Sequence, residues 1–174
     1  MLFNCMLIRL ATITDAPRLR ELSETTFRDT YTEYNTAENM EKHVAKNFTI
    51  EQIEKELKDP ANQYVVCEDG DNLTAFVKLV RNHSAKGLER EHAIEIERIY
   101  VRKVFHGMQL GRKLIDFCTD WAKENGFNVI WLGVWEHNHN AMRFYEKMGY
   151  ERFGEHSFVL GDDNQTDYLM KKYI

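Results

Sequence analysis

Apolar positions alternate with polar and aromatic ones through residues 94–101, where Ile94, Ile96, Ile99 and Val101 predict a strand. From Leu110 the period changes. Leu110, Leu114, Phe117 and Trp121 recur at helical spacing and predict an amphipathic helix. A short basic loop carrying Gly107 and Gly111 joins the two. A strand that passes through a glycine-bearing turn into a helix leaves several amides without partners, all pointing one way. With the positive end of the helix dipole, these donors form an anion site suited to a pyrophosphate.

The same reading predicts a first strand over 6–11 and a helix capped by Thr14 or Asp15, with Pro17 in its first turn. Leu19, Leu22 and Phe27 form its inner face. A polar, aromatic connection covers 31–36. Helices follow over 37–47 and about 49–58, the second stopped by Asp59-Pro60. Strands over 64–67 and 73–80 flank Asp69-Gly70, a hairpin signal, and a charged loop over 81–91 leads to the central strand. In 129–135, Ile130, Leu132 and Val134 face one way and Val129, Trp131 and Trp135 the other, as in an interior strand. Asn138 opens a short helix with Ala141, Phe144, Tyr145 and Met148 on one stripe and Gly149 as its stop. Strands over 150–160 and 166–173 join across Gly161-Asp162-Asp163-Asn164. With no repeat, linker or low-complexity tract, the pattern predicts one α+β domain over 1–174.

Composition narrows the class. With 43% hydrophobic and 29% charged residues in 174, the chain is globular in character. The opening MLFNCMLI is too short to span a bilayer and lacks a basic leader or cleavage site, and Met6 is an equally good start. A cytoplasmic location without membrane attachment is expected. Cys5, Cys67 and Cys118 are odd in number and dispersed, so neither a disulfide framework nor a metal site is expected. A net charge of −5 argues against sequence-independent binding to nucleic acid, and no helix-turn-helix with a basic face is evident. The acidic balance is compatible with a cationic small substrate.

The dinucleotide fingerprint GxGxxG and the triphosphate loop GxxxxGK[ST] are both absent. What remains, Tyr100-Val101 followed by His106, Gln109 and Gly111, resembles the acyl-CoA loop Q/R-x-x-G-x-G/A of the GNAT superfamily of N-acetyltransferases. Gly111 matches, His106 replaces Gln or Arg, and Gln109 stands where glycine is expected, which a negative φ would accommodate. About thirty residues on, NHNAMRFYEKMGY at 138–150 resembles the superfamily pattern N-x-x-A-x-x-F/L-Y-x-K-x-G-F/Y. The segments TFRDT, QIEKEL, IEIERIYV, WLGVWE and HSF…GD…QTD are similar to the PaiA-type spermidine/spermine N-acetyltransferases, from Thr25 nearly to the end.

This resemblance implies a GNAT fold: a mixed, mostly antiparallel sheet flanked by helices, with splayed central strands that bind acetyl-CoA. It implies direct acetyl transfer to a primary amine, most specifically a polyamine, and by family habit a homodimer. Pyrophosphate would sit on His106, Gly107, Met108, Gln109, Leu110, Gly111 and Arg112. The strand end at Ile99, Tyr100 and Val101 would pair with the pantetheine arm and supply an N–H to the thioester carbonyl. Asn138, Asn140 and Lys147 would assist, and Tyr145 would donate a hydrogen bond or proton to the CoA thiolate.

The chemistry also needs a proton acceptor. An alkyl amine titrates near ~10.4, so at neutral pH its deprotonation costs on the order of 4–5 kcal/mol. Glu97 and Glu95, two apart on a strand otherwise rich in Ile, share one face and are the candidate bases. A solvated strand face is the bland alternative. Asp29, Glu33, Glu136 and Asp167 are candidate carboxylates for a polycation, with Tyr31 and Trp135 as cation–π partners. His43, His83, His92, His137, His139 and His156 are scattered and read as structural or surface residues. Two other readings stay open: acetylation of another amine (a protein N-terminus, lysine or amino sugar), or a non-catalytic CoA-binding regulator, which Gln109 keeps alive.

Overall fold

In the computed structural model, which describes residues 6–160 and 163–174, seven strands form one sheet. They are β1 (Leu7–Leu10), β2 (Asn62–Asp69), β3 (Asn72–Val80), β4 (Ala93–Val101), β5 (Val129–Trp135), β6 (Glu151–Leu160) and β7 (Asp163–Tyr173), in the order β1-β2-β3-β4-β5-β7-β6. Neighbouring pairs are antiparallel except β4 and β5, which are parallel and joined by a helical crossover. Cys5 and two of the turn residues, Gly161 and Asp162, lie outside the described residues.

Five helices cover the sheet: α1 (Ala16–Tyr31), α2 (Ala37–Asn47), α3 (Ile50–Lys58), α4 (Leu110–Glu124) and α5 (His139–Lys147). Their starts are written in side chains. Thr36, Thr49 and Asn138 each accept the amide three residues on, at the heads of α2, α3 and α5. One face of the sheet packs Val65, Val77, Leu79, Ile94, Ile96, Ile130 and Leu132 against Leu110, Leu114, Ile115 and Cys118 of α4. The inward face of α4 is therefore centred on Leu114 and Cys118, while Phe117 and Trp121 are only half buried at its flank. The opposite face packs Tyr64, Val66 and Phe76 against Leu19 and Leu22 of α1 and Ile53 of α3. As its apolar pattern predicts, β5 is buried on both faces, Val129 and Trp131 lying under Leu88 of the 81–91 loop. Among the described residues no helix is long and apolar enough to cross a membrane.

Two irregularities in β4 position the site. β4 pairs with β5 only from Ala93↔Val129 to Ile96↔Leu132, and beyond that the strands part. On its other edge β4 stays paired with β3, but Lys78 lies opposite Arg98 and Leu79 opposite Ile96, which leaves Glu97 as a bulge. Ile94, Ile96, Ile99 and Val101 all reach the α4 side because the bulge absorbs one residue. Glu95, Arg98 and Tyr100 then share the other face, paired with Val80, Lys78 and Phe76. Glu97 reaches that face as well, where Lys78 and Arg98 meet its carboxylate, so it shares a face with Glu95 as alternation predicts.

Candidate active site

The parting of β4 and β5 opens a cleft of about 1270 Å³ that runs from the loop before α4 to the C-terminal end of α1. Backbone from Glu97 to Val101 and from Gly133 to Trp135 forms its edges, free of the strand pairing that would otherwise occupy these N–H and C=O groups. Such an edge can pair with an extended, amide-bearing arm.

At one end lie His106, Gly107, Gln109, Leu110, Gly111 and Arg112, with Asn138, Asn140 and Lys147 across from them. The first amide of α4 with a backbone acceptor is that of Lys113, which donates to Gln109 O at 3.1 Å. The amides of Leu110, Gly111 and Arg112 are the orphan donors of the helix N-terminus, with the basic Arg112 and Lys147 in the same lining, while Lys103 lies 4.0 Å from Asp29. No side chain caps α4. His106 Nε2 bonds to Val101 O at 2.8 Å and ties the loop back to the strand end. Met108 is exposed and not part of the lining.

Gln109 corrects the expectation of a negative φ. It sits at φ +59°, the sole non-glycine in the left-handed region among the described residues. The loop keeps the conformation that glycine would adopt without cost, and a glutamine bears the strain, roughly 1–2 kcal/mol. Gln109→Gly is expected to be neutral or stabilising by up to about 1 kcal/mol, since relief of strain is partly offset by the greater freedom of the unfolded chain. Gln109→Val, with a branched Cβ, is expected to cost more than 1 kcal/mol. Urea midpoints of the two variants check this; equal midpoints would show that the strain is absent.

The other end is aromatic and acidic. Tyr31, Tyr100, Tyr145, Trp135, Glu97, Asp29 and Asp167 line it. Tyr145, nearly fully buried on α5, has its phenol pushed up by burial and secondarily by Tyr100. Tyr100 is raised by burial, and Tyr31 by Tyr100 first and burial second, with Asp167 and Tyr145 near enough to add to it. All three phenols therefore stay neutral at working pH. Trp135 packs against Tyr31 and Tyr34, at 6.0 and 4.8 Å between ring centroids.

The carboxylates differ in their surroundings. Glu97 Oε2 lies 2.6 Å from Lys78 Nζ, and Lys78 in turn lies 3.1 Å from Glu56 Oε2. Glu56 also receives Arg98 at 3.0 Å and the Tyr64 hydroxyl, which makes a short hydrogen bond to it. Among the described residues no lysine or arginine pairs with Asp167. Its carboxyl is raised by burial, which His156 opposes and Glu136 reinforces. Glu95 lies outside the lining, its Oε2 2.5 Å from His83 Nδ1, and burial raises its carboxyl. Glu33 is exposed in a 3₁₀ turn, and Glu136 is half buried; neither reaches the lining.

The structure thus brings together Tyr145, Glu97, Asp29, Tyr31, Trp135, Asp167 and the loop residues other than Met108, and leaves Glu95, Glu33 and Glu136 aside. It adds residues that sequence reasoning passed over. His43, stacked on Phe27 at 4.2 Å between centroids, lines the cleft and is pushed down to about 4 by burial, Arg98 and Lys46. Lys78 and Arg98 neutralise Glu97; a lone lysine in the otherwise uncharged run 73–80 is the available signal. Among the described residues no cluster of His, Cys, Asp and Glu is arranged to hold a metal.

The pattern of the Acetyltransferase (GNAT) family matches residues 17–150. Over 160 residues the chain is 38% identical to a protein named as an uncharacterized N-acetyltransferase in the pepI 3′ region of Lactobacillus delbrueckii subsp. lactis, covering 92% of each. The fold is similar to that of the PaiA N-acetyltransferase from Thermoplasma acidophilum in complex with coenzyme A, with a TM-score of 0.79 at 20% identity over 97% of this chain and 99% of that one. It is also similar to the ribosomal-protein-alanine N-acetyltransferase from Brucella melitensis, with a TM-score of 0.69 at 20% identity over 97% and 99%.

Proposed function

The chain belongs to the GNAT family and is an acetyl-CoA-dependent N-acetyltransferase, and we propose that its acceptor is the primary amine of a polyamine. The observation that carries this reading is the polarity of the cleft. Its α4 end offers orphan amides and basic side chains to a pyrophosphate, while its α1 end offers a cation the Asp167 carboxylate among Tyr31, Tyr100 and Trp135, with Asp29 nearby at 4.0 Å from Lys103 and Glu97 already met by Lys78. A polyamine carries several ammonium groups separated by methylenes, and carboxylates spaced among aromatic faces suit both parts.

In this reading the pyrophosphate rests on the amides of residues 110–112 with Arg112 and Lys147 alongside. The pantetheine arm pairs with the freed edge of β4, and an N–H near Ile99 to Val101 polarises the thioester carbonyl. Tyr145 serves the sulfur. A thiol titrates near ~8.5 and this phenol well above its ordinary ~10, so outright transfer from phenol to thiolate is uphill. Tyr145 therefore acts as a hydrogen-bond donor that passes a proton only as it receives another.

Thiol release from acetyl-CoA tests the acceptor, with spermidine, spermine, a lysine peptide and an amino sugar compared at equal concentration. Turnover highest with the polyamines is the expected result. Turnover confined to the peptide or the sugar would remove the polyamine claim and keep the chemistry. Tight CoA binding without turnover of any amine would favour a regulator.

A further inference from the structure

His156 on β6 and Asp167 on β7 stand directly opposite each other in the strand register. His156 Nε2 lies 3.7 Å from Asp167 Oδ2. The pair occupies a slot that β5 leaves for it. A Cβ on Gly133 would come within 3.2 Å of Asp167 Oδ2 and 3.5 Å of His156 Nε2, so the strand carries no side chain at that position. Glycine inside a strand forfeits packing and conformational entropy, and here the space it leaves is filled by the carboxylate–imidazole pair. Gly133 and Asp167 line the cleft. The two partners differ in exposure: the Asp167 side chain is 17% accessible and that of His156 49%. One end of the pair faces the cleft and the other faces water.

Glu97, the other carboxylate deep in the cleft, has its Oε2 engaged by Lys78 at 2.6 Å and by Arg98 at 3.5 Å. The groups that influence or face Asp167 are Tyr31 of α1, Tyr100 of β4, Glu136 after β5 and His156 of β6, and none is a fixed cation. Burial and Glu136 raise the Asp167 carboxyl above its ordinary range, which brings its basicity closer to working pH.

We propose that Asp167 is the group that takes the proton from the acceptor ammonium, and that His156 passes this proton from Asp167 to solvent. The inference rests on the reading of the acceptor as a cationic amine. An N–H bond of the ammonium breaks and the proton moves to Asp167, leaving the amine lone pair free. That pair forms the N–C bond to the acetyl carbonyl carbon, and the C–S bond then breaks with its electrons on sulfur. The second proton of the former ammonium neutralises the CoA thiolate by way of the Tyr145 hydroxyl. The proton on Asp167 leaves through the His156 imidazole, across a 3.7 Å separation that one water or a small side-chain rotation bridges, so each turnover releases one proton to water. Asp167 is a catalytic residue in this scheme, and His156 acts through it.

The test is the pH profile of kcat/KM for spermidine between pH 6 and 10, or for the amine turned over fastest where that is another. Asp167→Asn preserves shape and is expected to lose about 10³-fold at pH 7. The loss should shrink about tenfold per pH unit toward the amine's own pKa near ~10.4, because the variant uses only amine that is already neutral. Exposed His156→Gln, which does not threaten folding, is expected to lose about tenfold and to recover with added imidazole. CoA affinity should be unchanged in both. An Asp167→Asn loss that is the same at every pH would overturn the proposal, as would a narrowing loss in Glu97→Gln with none in Asp167→Asn. Wild-type protein that acetylates no amine would instead overturn the reading beneath it.

Discussion

Glu56→Ala is expected to destabilise the fold by about 3–5 kcal/mol, because it strands two buried cations. Glu56 projects from α3 under the bulge of β4, where Lys78 Nζ lies 3.1 Å and Arg98 Nη1 3.0 Å from its Oε2, and Gln52 Nε2 2.9 Å from its Oε1. The Lys78 side chain is only 6% accessible, and after the substitution Glu97 alone would face it. At roughly 2–4 °C per kcal/mol for a chain of this size, the thermal midpoint should fall by about 6–20 °C. Burial alone would raise the Glu56 carboxyl, but Arg98, Tyr64, Gln52 and Lys78 outweigh it and hold it at about 2 against an ordinary 4.5. Since the folded value lies below the unfolded one, this stabilisation is complete above about pH 4.5 and is lost as pH falls toward 2. Thermal melts of wild type and variant at pH 7 and pH 3 check both statements. A difference in midpoint that does not narrow at pH 3 would show that charge is not what Glu56 contributes.

The same network explains why part of the site was legible in the sequence and part was not. The crossover from β4 through the loop into α4, the interior character of β5 and the cap and stop of α5 were readable because each is encoded within a few consecutive residues. The bulge also left a trace. The spacings from Ile94 to Ile96, to Ile99 and to Val101 are two, three and two residues, and a three in a period-two strand marks an extra residue. Glu95 and Glu97 share a face as the alternation implies, but their partners come from other elements, His83 for Glu95 and Lys78 for Glu97, which the strand's own pattern does not specify. Gln109 shows a different limit: its left-handed φ is imposed by loop closure between Val101 and α4, against the preference of its side chain. His156 reads in the sequence as a structural or surface residue because its partner depends on the register of β6 against β7, which no local pattern specifies.

Tyr145→Phe is expected to lower kcat for acetyl transfer by about 10- to 100-fold, the worth of one hydrogen bond to a charged group. The ring is nearly fully buried, 5.3 Å from Phe144 and 5.7 Å from Tyr150 between centroids, and phenylalanine reproduces that packing. Stability and CoA affinity should therefore hold while turnover falls. The effect should be confined to kcat, since the thiolate that the hydroxyl serves exists only as the C–S bond breaks. It should also be insensitive to pH across the range in which the acceptor deprotonates, because burial and Tyr100 keep this phenol neutral throughout. The contrast with Asp167→Asn separates the two ends of the proton path: one variant fails by an amount that shrinks as pH rises, the other by a constant factor. Thiol release measured across pH 6–10 for both variants decides it. A Tyr145→Phe protein with wild-type kcat would leave the departing sulfur to backbone and water alone.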